Sequence, residues 1–545
     1  MNIINTGKTC YIVSIMLFSL VIGCSHKAPN HNNKQLLSHV IIIQPIVVRN
    51  NEGTEAASMA LPEDLIEKAY SGASLDFVFL EPIYFNHTKA RDGLINLDEI
   101  SKIAKKQGLL KGQGDIVNMF FVKAVDGNSG PLGRAQMKGN IIFIALGDQS
   151  KQDNLVSMQA FVVAHEIGHN LSLKHVIDDP NVPNNLPNIQ GDGVFSERID
   201  PKFSLNAYQI KAVLNSPLTH DRISFLDKVS AQKAILDESF EPYFSKLQKR
   251  EIETFINKEV KTNDLTEARK IAKREFSSAV LEFSIQEKTN MQLVVKEVIR
   301  DLQNIGFNTV AESPWRFIKI QEWLSGGFAH TRGTFIIMSN RHLKLLHESM
   351  DQSLDKQQRQ KSLLAFKSIL VHEQFHTLQR TFPSKFKTLI KNYWGFQPTN
   401  IELTEELKLN QVSNPDAPQA NWLIPSEGDG KLFYWVRTLL KTDVKLPQMG
   451  KDFITKVFLV ELKDGGHHLK TTPTGGITSL GLEELSEYTQ RFPVSRGIDH
   501  PNEISAYMFA EYYSDLITGK KPFSEQPQST QKTIRLFIDW LFELK

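Results

Sequence analysis

Two stretches of the chain set histidine, glutamate and histidine at a spacing that a helix would gather on one side. They are His165-Glu166-Ile167-Gly168-His169 and His372-Glu373-Gln374-Phe375-His376. Residues four apart lie one turn apart on the same helix face. Each pair of histidines can therefore aim two imidazoles at one metal ion. The glutamate sits beside that face, where it can reach a water on the ion without binding the ion itself. Two imidazoles leave a zinc site short of ligands. For the first stretch the candidate third ligand is His175, six residues after His169, so the helix must end and the chain turn back. The second stretch has no histidine at that spacing. Its candidate is Glu503, in His500-Pro501-Asn502-Glu503, with Glu511 as the rival. Tyr507 follows Glu503 by one helical turn, so it can face the same site as a donor or sit in the core.

The chemistry such sites would do is hydrolysis. Three neutral histidines would leave Zn2+ its full charge and an open position, which lowers the pKa of a water towards neutrality. Glu166 in the first site and Glu373 in the second would take the proton from the attacking water and deliver it to the leaving amine. The expected activity is a zinc-dependent metalloendopeptidase with one Zn2+ at each site, acting on protein or peptide substrates.

The block Val162 to His175 resembles the reprolysin-like metzincin peptidases, and the resemblance covers roughly residues 40–222. That family's pattern is HExxHxxGxxH; here Ser172 stands where the turn glycine would be. Downstream, Asn188-Ile189-Gln190-Gly191 looks like the family's Met-turn, with Gln190 in place of methionine. The second motif resembles the gluzincins. Glu503, Ala506 and Phe509 form an E-x-x-A-x-x-F pattern similar to the lethal-factor-like branch. These resemblances imply an α+β chain of two zincin-like domains. Each would be a mixed sheet with an antiparallel edge strand and an active-site helix. In the first, the edge near Gly133 to Ala145 would bind an extended peptide by strand addition.

The elements that must position these residues are readable in outline. With 545 residues, 41% hydrophobic and 23% charged, the chain is long enough for several globular domains. Its net charge of +2 and lack of a long basic run give no sign of a nucleic-acid partner. Residues 39–222 alternate strand and helix patterns, then run strands together at Gly133–Gly139 and Ile141–Ala145 before a helix over Val156–Leu171. Residues 223–300 read as a charged helical connector, and residues 301–545 as the second unit. Gly133 to Gly139 is echoed by Gly327 to Gly333, each followed by an apolar strand and then by the HExxH helix.

The first residues read as an export signal. Lys8 precedes the apolar stretch Tyr11 to Ile22, which ends Leu20-Val21-Ile22-Gly23-Cys24-Ser25. This resembles a bacterial lipobox. It implies a signal peptide over 1–23, a lipid on Cys24 that anchors the chain to a membrane, and a flexible tether over 24–38. The implied location is the cell envelope, and the outer membrane if the cell is Gram-negative. Cys10 and Cys24 are the only cysteines, so the processed chain would hold no disulfide. Ser172 and Gln190 also keep two other readings open: an anchored peptide-binding protein with a degenerate first site, or activity in the second unit alone.

Overall fold

His39–Arg49 (β1) is an almost unbroken run of Val and Ile, and residues 40–48 are buried. A strand apolar on both faces belongs inside a sheet covered on both sides. In the computed structural model β1 is that strand. The model describes residues 36–127, 130–146, 155–183, 188–191, 205–419, 421–426, 430–494, 496–524 and 526–544. The segment expected to be an export signal, with Cys10 and Cys24, lies outside them. Among the described residues no helix is long and apolar enough to cross a membrane.

Leu75–Phe79 (β2) and Ile83–Asn86 (β3) run parallel to β1 along one side, one after the other. Pro45 falls at the switch between them, where a missing N–H costs the ladder least. Gln44 bridges the gap, its Nε2 donating to the carbonyls of Pro45 and Glu81 at 2.9 Å each. On the other side Val117–Phe121 (β4) and then Ile141–Ile144 (β6) continue the parallel order. Gly133–Ala135 (β5) closes that end antiparallel to β6, and His220–Asp221 (β7) pairs antiparallel with the start of β1. Helices α1 (Glu63–Ala69) and α3 (Leu155–Asn170) cover one face, and α2 (Leu97–Lys106) covers the other.

The second sheet repeats the plan. Trp315–Ile320 (β10) is fully buried and lies parallel to Ile223–Phe225 (β8) and Phe335–Ser339 (β12). Val280–Leu281 (β9) pairs antiparallel with the end of β10, and His330–Arg332 (β11) forms the antiparallel edge on β12. Helices α4 (Lys228–Ala234), α5 (Lys249–Ile256) and α6 (Leu265–Ser278) share a core with Ile318, Ile320, Phe335 and Ile337. Residues 223–300 are thus built into this unit: β8 and β9 are strands of its sheet. Ile285–Asn304 (α7), Asn340–Met350 (α8) and the long helix Lys356–Thr381 (α9) complete its helical part.

A third sheet, antiparallel throughout, follows: Gln397–Pro398 (β13), Trp422–Pro425 (β14), Leu432–Leu440 (β15), Phe453–Lys463 (β16), Gly466–Leu469 (β17) and Ser479–Gly481 (β18). Helices α10 (Pro501–Ile517) and α11 (Gln531–Glu543) end the chain. Phe375 of α9 stacks on Phe509 of α10 with ring centres 4.5 Å apart, which locks the two helices together. The expected α+β class and mixed sheets are present. The echo holds as topology but not residue for residue. Ala135 pairs with Ile142, whereas the matching Ile336 pairs with Thr331 rather than Ala329, so the edge strands align two positions away from the sequence match.

Candidate metal centres

The first centre is built at the end of α3. Ala160–Ala164 are buried in the core beneath the first sheet, so the helix is fixed before it reaches His165. It stops after Asn170. Leu173 N–H donates back to Gly168 O at 2.8 Å, and Ser172 adopts a left-handed turn with φ of 78°. That turn sends His175 back over the helix. The three Nε2 atoms converge, His175 lying 3.2 Å from His165 and 3.1 Å from His169. The opposite nitrogens of two rings are tied to main chain: His165 Nδ1 donates to Ile189 O and His169 Nδ1 to Leu173 O, both at 2.8 Å. Such bonds fix the tautomer and leave Nε2 lone pairs facing inward.

Gln190 does structural work here. Its Nε2 donates to His165 O at 2.8 Å, and the main-chain carbonyl of residue 190 accepts from Val176 N–H at 3.0 Å. It needs Gly168 opposite it, because a Cβ there would sit 2.1 Å from Gln190 Nε2. Asn188 and Gln209 exchange two side-chain bonds below, at 2.8 and 3.0 Å. Glutamine thus closes the floor by hydrogen bonding to the helix.

Glu166 lies against the edge strand, its carboxylate accepting the Ala135 N–H. A Cβ at Gly133 would come within 2.6 Å of that carboxylate, so the strand can approach only as glycine. Burial pushes the Glu166 carboxyl up to about 7, against the pull of the Ala135 N–H and Arg134. The cleft in front measures about 930 Å³, with Leu132, Phe161 and Val162 beside the histidines.

The second centre joins α9 to α10. His372 and His376 lie on one face of α9 with Nε2 atoms 3.1 Å apart. Glu503, in the first turn of α10, brings one carboxylate oxygen to 3.5 Å from His372 Nε2 and the other to 3.6 Å from His376 Nε2. Glu511 is elsewhere, accepting from Gln526 Nε2 at 3.3 Å. Burial alone would raise the Glu503 carboxyl, yet the His376 and His372 rings hold it well below the usual carboxylate range. His376 Nδ1 donates to Gln379 Oε1 at 2.9 Å, and Gln379 Nε2 in turn donates to Asn502 O and Ser505 Oγ on α10. Asn414 Nδ2 donates to Glu503 Oε1 at 2.7 Å. The Tyr507 ring centre is 4.3 Å from that of His372. Glu373 is buried, with Oε2 unpartnered among the described residues, and burial followed by the charge of Asp416 raises its carboxyl well above the ordinary range.

The chain therefore carries two groups able to hold a metal ion: His165, His169 and His175, and His372, His376 and Glu503. Sequence reasoning missed the residues that orient them. Gln379 could have been suspected from its place three residues after His376. Asn414 and Asp416 come from a loop with no signal of its own. No protein-family model matches the chain, and no curated protein matches it significantly.

Proposed function

We propose that the chain is a zinc-dependent peptidase with two metal centres, a metzincin-like one in the first unit and a gluzincin-like one in the second. The observation that carries this is the convergence of three ligand atoms at each HExxH helix. Donors placed tetrahedrally around zinc at ~2.05 Å would lie ~3.3 Å from one another. The imidazole nitrogens 3.1 to 3.2 Å apart suit that spacing, and Glu503 presents one oxygen to each ring of the second centre, at 3.5 and 3.6 Å. Bound zinc would supply a Lewis acid that acidifies the attacking water and takes up charge from the scissile carbonyl.

The chain's own groups do the rest. Glu166 and Glu373 take the proton from the attacking water and hand it to the leaving amine. A carboxyl near neutral pKa can do both, and burial places Glu166 there, at about 7. The Ala135 N–H keeps Glu166 turned towards the cleft. In the second centre the Tyr507 hydroxyl is the donor for the developing oxyanion, since its ring packs against that of His372.

Metal content tests the reading directly. The purified full chain should hold close to two zinc ions, and His165→Ala and His372→Ala should each hold one. Glu166→Gln and Glu373→Gln should keep the metal and lower peptide hydrolysis at their own centre by ~10²-fold or more. Metal retained in full by either histidine variant would remove that centre from the proposal.

A further inference from the structure

The two edge strands meet different partners on their outer sides. In the first unit no strand pairs with the outer side of β5 among the described residues. Arg134 there is exposed, and the Ala135 N–H points into the cleft at Glu166. In the second unit β11 is closed over: His330, Thr331 and Arg332 are 2%, 0% and 1% exposed. The Thr331 N–H turns away from β12 and donates to Asp416 Oδ1 at 2.8 Å, and the Thr331 hydroxyl bonds the same carboxylate. The outward edge N–H is thus bonded to a carboxylate in both units, Ala135 to Glu166 and Thr331 to Asp416; what differs is that β11 is buried beneath the segment carrying Asp416, while β5 keeps an exposed side.

The segment that brings Asp416 there is firmly held. Ser413 N–H bonds the buried carboxylate of Glu251, and Arg380 Nη2 donates to Pro415 O at 2.8 Å. Asn414 reaches Glu503, and residues 411 and 439 form a β-bridge. Each buried bond of this kind is worth ~1 kcal/mol net and costs more to leave unmade. Held at so many points, the segment is a fixed wall of the cleft. The space it leaves is about 710 Å³, with Phe255, Phe328, Val412, Met449 and Phe453 along its apolar side.

We propose that Asp416 is a specificity-determining residue: by tying the fixed segment 413–416 over β11 it buries that edge and bars strand addition, so that the second centre takes short peptides bearing a bulky apolar side chain and leaves long extended chains to the first. The substrate class rests on the peptidase reading above, but the capped edge does not, and the experiment separates them.

Binding is read first, on the zinc-loaded Glu166→Gln/Glu373→Gln chain, by hydrogen exchange with excess insulin B chain as an unfolded polypeptide. Exchange should slow about tenfold in residues 130–137 and stay unchanged in residues 328–334. Comparable protection of both segments would overturn the proposal. Turnover is read next, on single variants. Glu166→Gln, whose remaining hydrolysis belongs to the second centre, should cleave a quenched apolar tetrapeptide, and adding Glu373→Gln should abolish that cleavage. Glu166→Gln alone should cut the B chain internally about a hundredfold more slowly than the intact protein. Asp416→Ala in that background should recover internal cutting, and Asp416→Asn, which keeps an accepting oxygen for Thr331, should recover it less. Undiminished internal cutting by Glu166→Gln would sink the proposal and leave the peptidase reading standing. The expected exchange pattern without hydrolysis of either probe by either single variant would sink the peptidase reading and leave the capped edge standing.

Discussion

The same five-residue motif is supported in two different ways in this chain. At the first centre two of the histidine rings are oriented by main-chain carbonyls, those of Ile189 and Leu173, and the glutamate by a main-chain N–H. At the second, Gln379 orients one ring, Asn414 holds the Glu503 carboxylate, and Asp416 lies near Glu373. Main-chain support comes with the fold and leaves the cleft open. Side-chain support from separate elements encloses the site and puts its geometry under the control of individual residues. Ring orientation at the first centre should therefore withstand side-chain deletions better than at the second, although Gly133, Gly168 and Gln190 are held by close packing.

The largest effect expected from this difference is in stability against pH. Glu251 anchors the wall of the second centre through Ser413, and burial raises its carboxyl to about 7. The raised value means the folded protein holds this proton more tightly than the unfolded chain does. Its contribution is full below about pH 4.5 and is lost as pH rises through about 7. The loss amounts to roughly 3 kcal/mol over that window. Glu251→Gln should flatten the fall of Tm between pH 5 and 8 in thermal melts of the full chain. A slope identical to that of the unaltered protein would show that this wall is not the pH-sensitive part of the second unit.

Zinc affinity gives the next effect. Gln379→Ala removes the acceptor of His376 Nδ1 together with its link to α10, and should weaken zinc at the second centre ~10–100-fold. Chelator competition should show one weakened and one unchanged site. No side-chain deletion can do the same to His165 or His169, whose partners are carbonyls. Equal weakening of both sites would break the comparison.

These contrasts were unevenly legible in the sequence. The ligand histidines and α3 could be read because helical spacing and an apolar run are local signals. The E-x-x-A-x-x-F pattern favours Glu503 over Glu511, although a carboxylate opening a helix has a simpler explanation; the packing of Phe375 on Phe509 fixes how α10 meets α9 and brings Glu503 to His372 and His376. The role of residues 223–300 was hidden for a different reason. β8 and β9 are strands of three and two residues whose partner β10 lies many residues downstream, and charge on the exposed helix faces outweighs so short a signal. Asp416 was hidden most completely, since only the folded chain brings it to Thr331. At Pro45 the sequence rule against a central-strand proline gave way to a change of neighbouring strand.

The smallest effect expected belongs to the turn that sets His175. Ser172 carries a φ of 78°, a conformation that costs a residue with a Cβ roughly 1–2 kcal/mol. Glycine removes that cost but gives back ~0.5–1 kcal/mol through the greater freedom of the unfolded chain. Ser172→Gly should therefore stabilise the protein by at most about 1 kcal/mol, with zinc at both centres unchanged. Ser172→Ala keeps the Cβ and should gain nothing, so the pair of variants isolates backbone strain from any contribution of the hydroxyl. The turn is closed by the Ser172 N–H to His169 O and Leu173 N–H to Gly168 O bonds, none of which involves a residue of the second centre. A Ser172→Gly chain that lost zinc at the first centre would mean that the serine side chain, rather than the backbone, holds His175 in place. The first centre would then depend on a side chain as the second does.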